Sequence, residues 1–419
     1  MTLELLQSNA KRVSRWSAIA LGASIPVSTA LDNVLVGVTL LAWALSGQAR
    51  ELVRLAVTNK VLRCALLLFA LLAVGTLYGE STQREALATL GKYLDLLYIP
   101  VFAMVLWERE TRIKALHALA ISLAVTVLLS YLTHFGLRPA LPFLTGDATD
   151  PTVFKLRTAH NFLLAFGAFL FVWLGFSTAS QRLRLVWFSL ALLAAINVLF
   201  MVQGATGYLV LGVLGLLFIG GRFGWRGLAV ATVALAVSVV ALVNVPSKFQ
   251  SRVTAIQQEI KQWRAEDAAS TSAGQRLEFY RNTLDIIAEH PLDGVGTGGF
   301  AQAYAKQVTG TGKVQTHNPH NEFLHIAAQI GVLGLLVLIA LFWTQWRAAQ
   351  SLSTPMERSL ARGLVLTMVI GCLVNSLLLD HTEGLFYAWL TGLLYGGLKY
   401  GQSDKPGDQK KRAHACEPS

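Results

Sequence analysis

Twelve apolar runs are spread along this chain, at 16–30, 31–46, 61–79, 90–107, 115–135, 160–176, 184–201, 205–221, 226–245, 322–345, 361–380 and 383–400. Most are about as long as a helix must be to cross the hydrocarbon core of a bilayer. They are continuous and do not alternate with polar residues, so they read as helices and not as barrel strands. Only 14% of the residues are charged and 54% are hydrophobic, whereas soluble domains carry roughly 25% charged residues. The expected fold class is an all-α polytopic membrane protein with about twelve transmembrane helices. The first two runs are short and share a break at Asp32-Asn33. The segment Met1 to Arg15 has no short apolar core followed by a small-residue cleavage site, so the first helix is expected to be retained.

The net charge of +11 belongs to topology rather than to nucleic-acid binding. With Lys11, Arg12 and Arg15 placed in the cytoplasm, every short basic loop falls on that side. These loops carry Arg50, Arg54, Lys60 and Arg63, then Arg109, Arg112 and Lys114, then Arg182 and Arg184, Arg222 and Arg226, and Arg347 and Arg358. Both termini are then cytoplasmic. Residues 1–245 hold helices 1–9, residues 322–400 hold helices 10–12, and 401–419 form a polar tail expected to be disordered. Cys64 and Cys372 lie in or beside apolar runs and Cys416 is in the tail, which suggests neither a disulfide framework nor a zinc knuckle.

Two long connections fall on the opposite side, 136–159 and 246–321. Loops of such length tend to be functional or to carry their own structure. In the second, Val253, Ile256, Ile260 and Trp263 recur at helical spacing, as do Leu277, Tyr280, Leu284 and Ile287 before Pro291. Two amphipathic helices are expected. A glycine-rich turn, 294–299, resembles a phosphate loop only superficially, because it follows no strand and lacks the Lys-Ser/Thr ending.

The loop ends in His317-Asn318-Pro319-His320-Asn321-Glu322-Phe323-Leu324-His325 at the mouth of the tenth apolar run. His320 sits just before the positive end of that helix, which disfavours an imidazolium and leaves the ring able to accept a proton. The alternative is a histidine at a wet interface with no role. Asn321 either caps the helix or donates to a sugar or phosphate. His317, His320 and His325 lack the spacing of a zinc face, so no metal is expected. Arg157, Arg276 and Arg281 lie outside, against the charge trend. The guanidinium fork suits phosphate, although pairing with Glu278, Asp285 or Glu289 would explain each equally well. Arg276 ranks first because it stands in the first turn of its helix, where a bound anion would offset an otherwise unfavourable cation. Lys92, opening the fourth run, either snorkels or touches a headgroup. Asp380, in the tight link Asp380-His381-Thr382-Glu383, orients a histidine or simply caps a turn.

Arg276-Leu277-Glu278-Phe279-Tyr280-Arg281, His290-Pro291-Leu292-Asp293-Gly294-Val295-Gly296, Gly299-Phe300, His320-Asn321 with Leu324, and Gly331 with Gly334 together resemble the O-antigen ligase/polymerase superfamily. Ten residues separate His320 from Gly331, similar to the His-x10-Gly motif of O-antigen ligases. The chain departs from the pattern at Ala205-Thr206-Gly207, where many relatives carry Ser-Arg-Gly.

The resemblance implies a metal- and nucleotide-independent, inverting glycosyltransferase of the bacterial inner membrane with no cofactor. It would move a glycan from undecaprenyl diphosphate to lipid A–core oligosaccharide, with 246–321 as a periplasmic loop bearing the catalytic motif. His320 would be the base, Arg157, Arg276, Arg281, Asn321 and Lys92 would hold the diphosphate, and His317 and Asp380 would orient groups or contact the acceptor. Its partners would be the lipid-linked donor, the lipid A–core acceptor and membrane lipids, with no nucleic acid. An O-antigen polymerase or a protein O-oligosaccharyltransferase of the same superfamily fits the same motifs. A lipid-linked glycan transporter is the alternative from another class, and would call for intramembrane charges, for which Asp32 and Asp95 are the visible candidates.

Overall fold

The computed structural model describes residues 3–137, 144–246, 248–266 and 271–399. Pro139, Pro142 and the tail 401–419 lie outside the described residues. The described chain is helical, with no strand. Six helices are long and apolar enough to cross a membrane, or up to seven if one bent pair counts as a single span. Many apolar side chains point outward: Val230, Val233, Val237 and Val240 are each more than 60% exposed. Water would not tolerate so continuous an apolar surface, and lipid accounts for it. This is a membrane protein.

Helix α1 (Leu3–Ser24) and α2 (Thr29–Leu45) pack as a pair. The chain breaks between them at Pro26, with Ser28 capping α2, and not at Asp32-Asn33 as the hydropathy suggested. Asp32 is instead a buried residue inside α2. A short helix, α3 (Ala49–Thr58), turns 106° away from α2 and carries Arg50 and Arg54, which the sequence had placed in a loop. After α4 (Lys60–Gly75) comes α5 (Gln83–Lys92), opened by a Thr82/Glu85 capping box, and then α6 (Asp95–Val105). Lys92 therefore ends one helix rather than opening the next.

Helix α7 (Arg109–His134), α8 (Arg157–Ser177) and α9 (Gln181–Ile196) follow. In α10 (Ala205–Val243) Gly224 adopts φ 66° and ψ −162°, which reverses the chain. Gly220 faces Leu228 and Gly212 faces Leu235. Residues so far apart along one straight helix would be ~12 Å and ~35 Å distant at 1.5 Å per residue, so the two halves run antiparallel as a hairpin.

Helix α11 (Lys248–Glu266), α12 (Ser272–Glu289) and α13 (Phe300–Val308) fill the long loop. Then come α14 (Glu322–Ala348), α15 (Pro355–Val374) and α16 (His381–Tyr395). Helix α16 is the central post, buried along its length from Thr382 to Tyr395. Its Trp389 donates to Ala18 O (2.8 Å), and Tyr387 and Tyr395 donate to Gln345 of α14 (3.0 and 2.8 Å). Hydrogen bonds between spans fix the rotation of a post that apolar packing alone would leave free to slide.

The expected apolar stripe of α12 is not the face it buries. Leu284 is 54% exposed, and the buried residues are Glu278, Phe279, Asn282, Thr283 and Ile286. Polar residues can turn inward here because they satisfy one another. Asn282 donates to Glu278 (3.0 Å) and Tyr304 (2.9 Å), Thr283 donates to Phe279 O (2.5 Å), and Lys313 pairs with Glu278.

Candidate active site

Helix α14 is broken at Ile330-Gly331, where Gly331 takes φ 66°. The break frees backbone groups that a continuous helix would pair internally, and a buried one must find another partner. Ala328 O accepts from Val295 N (2.8 Å), and Val332 N donates to Pro291 O (2.9 Å). The glycine-rich turn is thereby docked onto the helix break. A Cβ at Gly331 would strike Leu292 O, and one at Gly294 would strike the Ala328–Gln329 backbone, so glycine is required at both. Thr297 N donates to Gly75 O (2.8 Å) and Gly298 N to Gln329 Oε1 (3.1 Å). The turn uses these N–H groups to bind its own protein and offers no phosphate cradle.

His320 is held just above the start of α14. It is the only non-glycine residue with positive φ, 56°, among the described residues. That conformation costs an ordinary side chain ~1–3 kcal/mol and persists where its surroundings enforce it. Asn318 Oδ1 accepts from His320 N (2.8 Å), and Tyr280 Oη of α12 lies within donating reach of His320 O (3.1 Å). The Phe279 ring stacks beside the imidazole at 25° and 6.2 Å between centroids.

His320 Nδ1 is 3.1 Å from Asn375 Oδ1, and Asn375 Nδ2 is 3.1 Å from Asp380 Oδ2. A carboxylate only accepts, so the Asn375 amide must turn its nitrogen toward Asp380 and its oxygen toward His320. That oxygen in turn calls for the proton on Nδ1, which leaves the lone pair on Nε2. Nε2 has no hydrogen-bond partner among the described residues, and the histidine is half-buried. The Asn375–Asp380 pair thus sets the tautomer of the ring from behind. Asp380 precedes α16 without capping it by its side chain, and that side chain accepts from Asn375 instead. Asn375 did not stand out in the sequence, and Phe279 did so only as part of the Arg276–Arg281 run, with no role assigned to it.

A second set of bonds supports the first. Buried Glu322 accepts from Tyr93 Oη (2.9 Å) and from Leu378 N (3.0 Å), and Tyr93 Oη lies 3.4 Å from His325 Nδ1. Lys92, next to Tyr93, is exposed, acts electrostatically on Asp380 and His325, and has no hydrogen bond among the described residues. The three histidines diverge. His320 faces Asn375, His325 is buried against Tyr93 and the Phe300 ring, and His317 is exposed on the side of Glu85. Among the described residues no group of three or more His, Cys, Asp or Glu is placed to hold a metal.

The arginines also separate. Arg276 is half-buried, and it has no hydrogen bond or ion pair among the described residues. Burial pushes its guanidinium below the ordinary arginine range, and Arg252 adds to this against the opposing pull of Tyr280 and Glu259. Tyr280, one turn along α12, acts on Arg276 electrostatically and lies within donating reach of the His320 carbonyl. Arg281 is exposed on another side of α12. Arg157 is held by Asp150 Oδ2 through Nε (3.1 Å) and Nη2 (2.6 Å). Asn321 caps α14 at Leu324 N (3.1 Å) while its amide donates to Leu373 O (3.1 Å), so its side chain is held by the protein at both ends. Asp32 accepts from Ser24 (2.6 Å) and pairs with buried Lys155 (3.3 Å), tying the first long loop to α2.

The family model described as O-antigen ligase matches residues 190–339, a stretch that includes α12, the glycine-rich turn, His320 and Gly331. Over that stretch, about a third of the chain, the sequence is similar to the O-antigen ligase family. No curated protein matches it. A solved structure described as "Structural coordination of polymerization and crosslinking by a peptidoglycan synthase complex" overlays 81% of this chain and 97% of its own, at 19% identity and a TM-score of 0.45.

Proposed function

We propose that this protein is an O-antigen ligase, transferring a glycan from undecaprenyl diphosphate to a sugar hydroxyl of lipid A–core at the periplasmic face of the inner membrane. The observation that carries the reading is the His320–Asn375–Asp380 chain, with Nε2 unpaired among the described residues. The acceptor hydroxyl attacks the anomeric carbon and gives its proton to His320 Nε2. The bond from that carbon to the diphosphate oxygen breaks, and the leaving lipid diphosphate carries away the electron pair. Attack opposite the leaving group inverts the anomeric centre. Asp380, through Asn375, offsets the charge that forms on the imidazole, and Arg276 offsets the charge that grows on the diphosphate. Lys92 is the second cation on this side. Arg157, Arg281 and Asn321 rank below them, because the first and last are held within the protein and Arg281, unlike Lys92, is not among the groups that act on Asp380 or His325. The donor carries its own leaving group, so no cofactor is called for.

The proposed topology has twelve spans, cytoplasmic termini and a periplasmic 246–321 loop. Its support is the charge asymmetry of the loops. Single cysteines at 270 and 410 should be labelled from outside at the first position only, and labelling of both in intact cells would overturn it. The activity is tested by mixing purified protein, lipid-diphosphate glycan and rough lipopolysaccharide without metal or nucleotide. A ladder of glycosylated lipopolysaccharide on a gel is the expected product. Longer lipid-linked glycan in its place would make the protein a polymerase.

A further inference from the structure

Helices α4, α14 and α16 each have one end near the candidate active site and the other at a second cavity. Gly75, the last residue of α4, contacts Thr297 of the glycine-rich turn, His320 and Asn321 precede α14, and Asp380 precedes α16. The opposite ends, at Lys60, Arg347 and Leu394, line a cavity of about 790 Å³. The 16 residues of α4 and the 15 of α16 separate the two places by ~20 Å at 1.5 Å per residue. The cavity therefore has no part in the chemistry at His320.

Its floor is apolar, with Val61, Leu352 and Leu394 almost fully buried. One wall is closed by Arg112, which donates to Glu357 (3.0 Å). The rim differs from that wall. Lys60, Arg347, Ser351 and Ser353 all line the cavity, and none of the four side chains has a hydrogen bond or ion pair among the described residues. The Arg347 guanidinium lies over the Trp343 ring at 5.8 Å, an interaction with the ring face that leaves N–H groups free to donate. Three cations against one carboxylate make the lining positive.

We infer that this cavity binds an anionic glycerophospholipid of the surrounding bilayer, its phosphodiester on Lys60, Arg347 and the two serines and its glycerol and upper acyl carbons on the apolar floor. A phosphate ester needs cationic and hydroxyl donors together, and basic pockets between membrane helices take such headgroups. The apolar floor favours a lipid over a free anion, which has no use for it.

The test is a titration of the full-length protein in detergent with short-chain phosphatidylglycerol, phosphatidylcholine and inorganic phosphate, counting adducts by native mass spectrometry. Phosphatidylglycerol should fill one site more tightly than the other two probes. The Lys60→Ala/Arg347→Ala protein should bind it about thirtyfold more weakly, since each cation near a headgroup contributes about a fivefold factor. Ser351→Ala/Ser353→Ala should show a smaller loss. The charge-matched control Arg222→Ala/Arg226→Ala removes two exposed arginines from the α10 turn and should bind as the parent does. Equal weakening in the two arginine-containing variants would reduce the effect to general surface charge and overturn the proposal. Equal affinity for phosphatidylcholine would make the cavity a neutral groove, and equal affinity for phosphate would make it a free-anion site. Either result rejects the lipid.

Discussion

The two long loops carry the same kinds of residue and use them in opposite ways. Loop 144–156 pairs its cations within the protein, Lys155 with Asp32 and the adjoining Arg157 with Asp150. Loop 271–321 leaves Arg276 half-buried, and among the described residues neither its guanidinium nor His320 Nε2 has a hydrogen bond or ion pair. Arginine outside the membrane is therefore not itself the signal of a phosphate site. What separates Arg276 from Arg157 is that Asp150 holds Arg157 in a direct ion pair, whereas among the described residues no carboxylate does so for Arg276.

The strongest way to break this contrast is His320→Ala, for which transfer should fall about 10²–10⁴-fold, the usual worth of a positioned base. Near-normal product formation by folded, inserted protein would remove the base from the scheme. Next comes Asn375→Ala, which frees the ring to rotate and to take the wrong tautomer. A loss of about ten- to a hundredfold is expected, the range for one hydrogen bond to a charged group. The loss should appear in kcat with donor KM unchanged, and a change confined to KM would make Asn375 a binding residue. Arg276→Lys keeps the charge and loses the fork, so donor binding should weaken by about tenfold. Arg157→Lys should stay within about fivefold of the parent, as expected for an exposed pair. If the two arginine variants exchange these outcomes, the contrast between the loops is reversed. Smallest of all is the effect of EDTA, which should leave turnover unchanged, and recovery of a lost activity by added zinc would identify a metal site.

Much of the architecture was legible because apolar run length and polar punctuation are local properties. The hairpin at Gly224 and the polar run at the mouth of α14 belong to this class. The face of α12 was not legible, because its buried side is made of polar residues whose partners, Tyr304 and Lys313, lie far along the chain. Helix α5 was missed for a related reason: only its Ala86 is fully buried and its residues look like a loop. At the candidate site His320 could be singled out by its position, but Asn375 joins it across 55 positions of sequence and no spacing rule reaches that far. The pairing of Arg157 had a readable cue, since Asp150 lies only seven residues upstream.

The break at Gly331 gives the interval between His320 and Gly331 a mechanical meaning. It is a length of helix, about 15 Å at 1.5 Å per residue, clamped at one end by the Asn321 cap and at the other by the Pro291–Val295 backbone. Both clamps are direction-sensitive. Adding or removing a single residue between them would rotate one clamp by about 100° relative to the other and swing the imidazole away from Asn375, although no residue at either end had changed. The motif therefore works as a ruler, and a side chain inside it is freer to vary than the number of side chains.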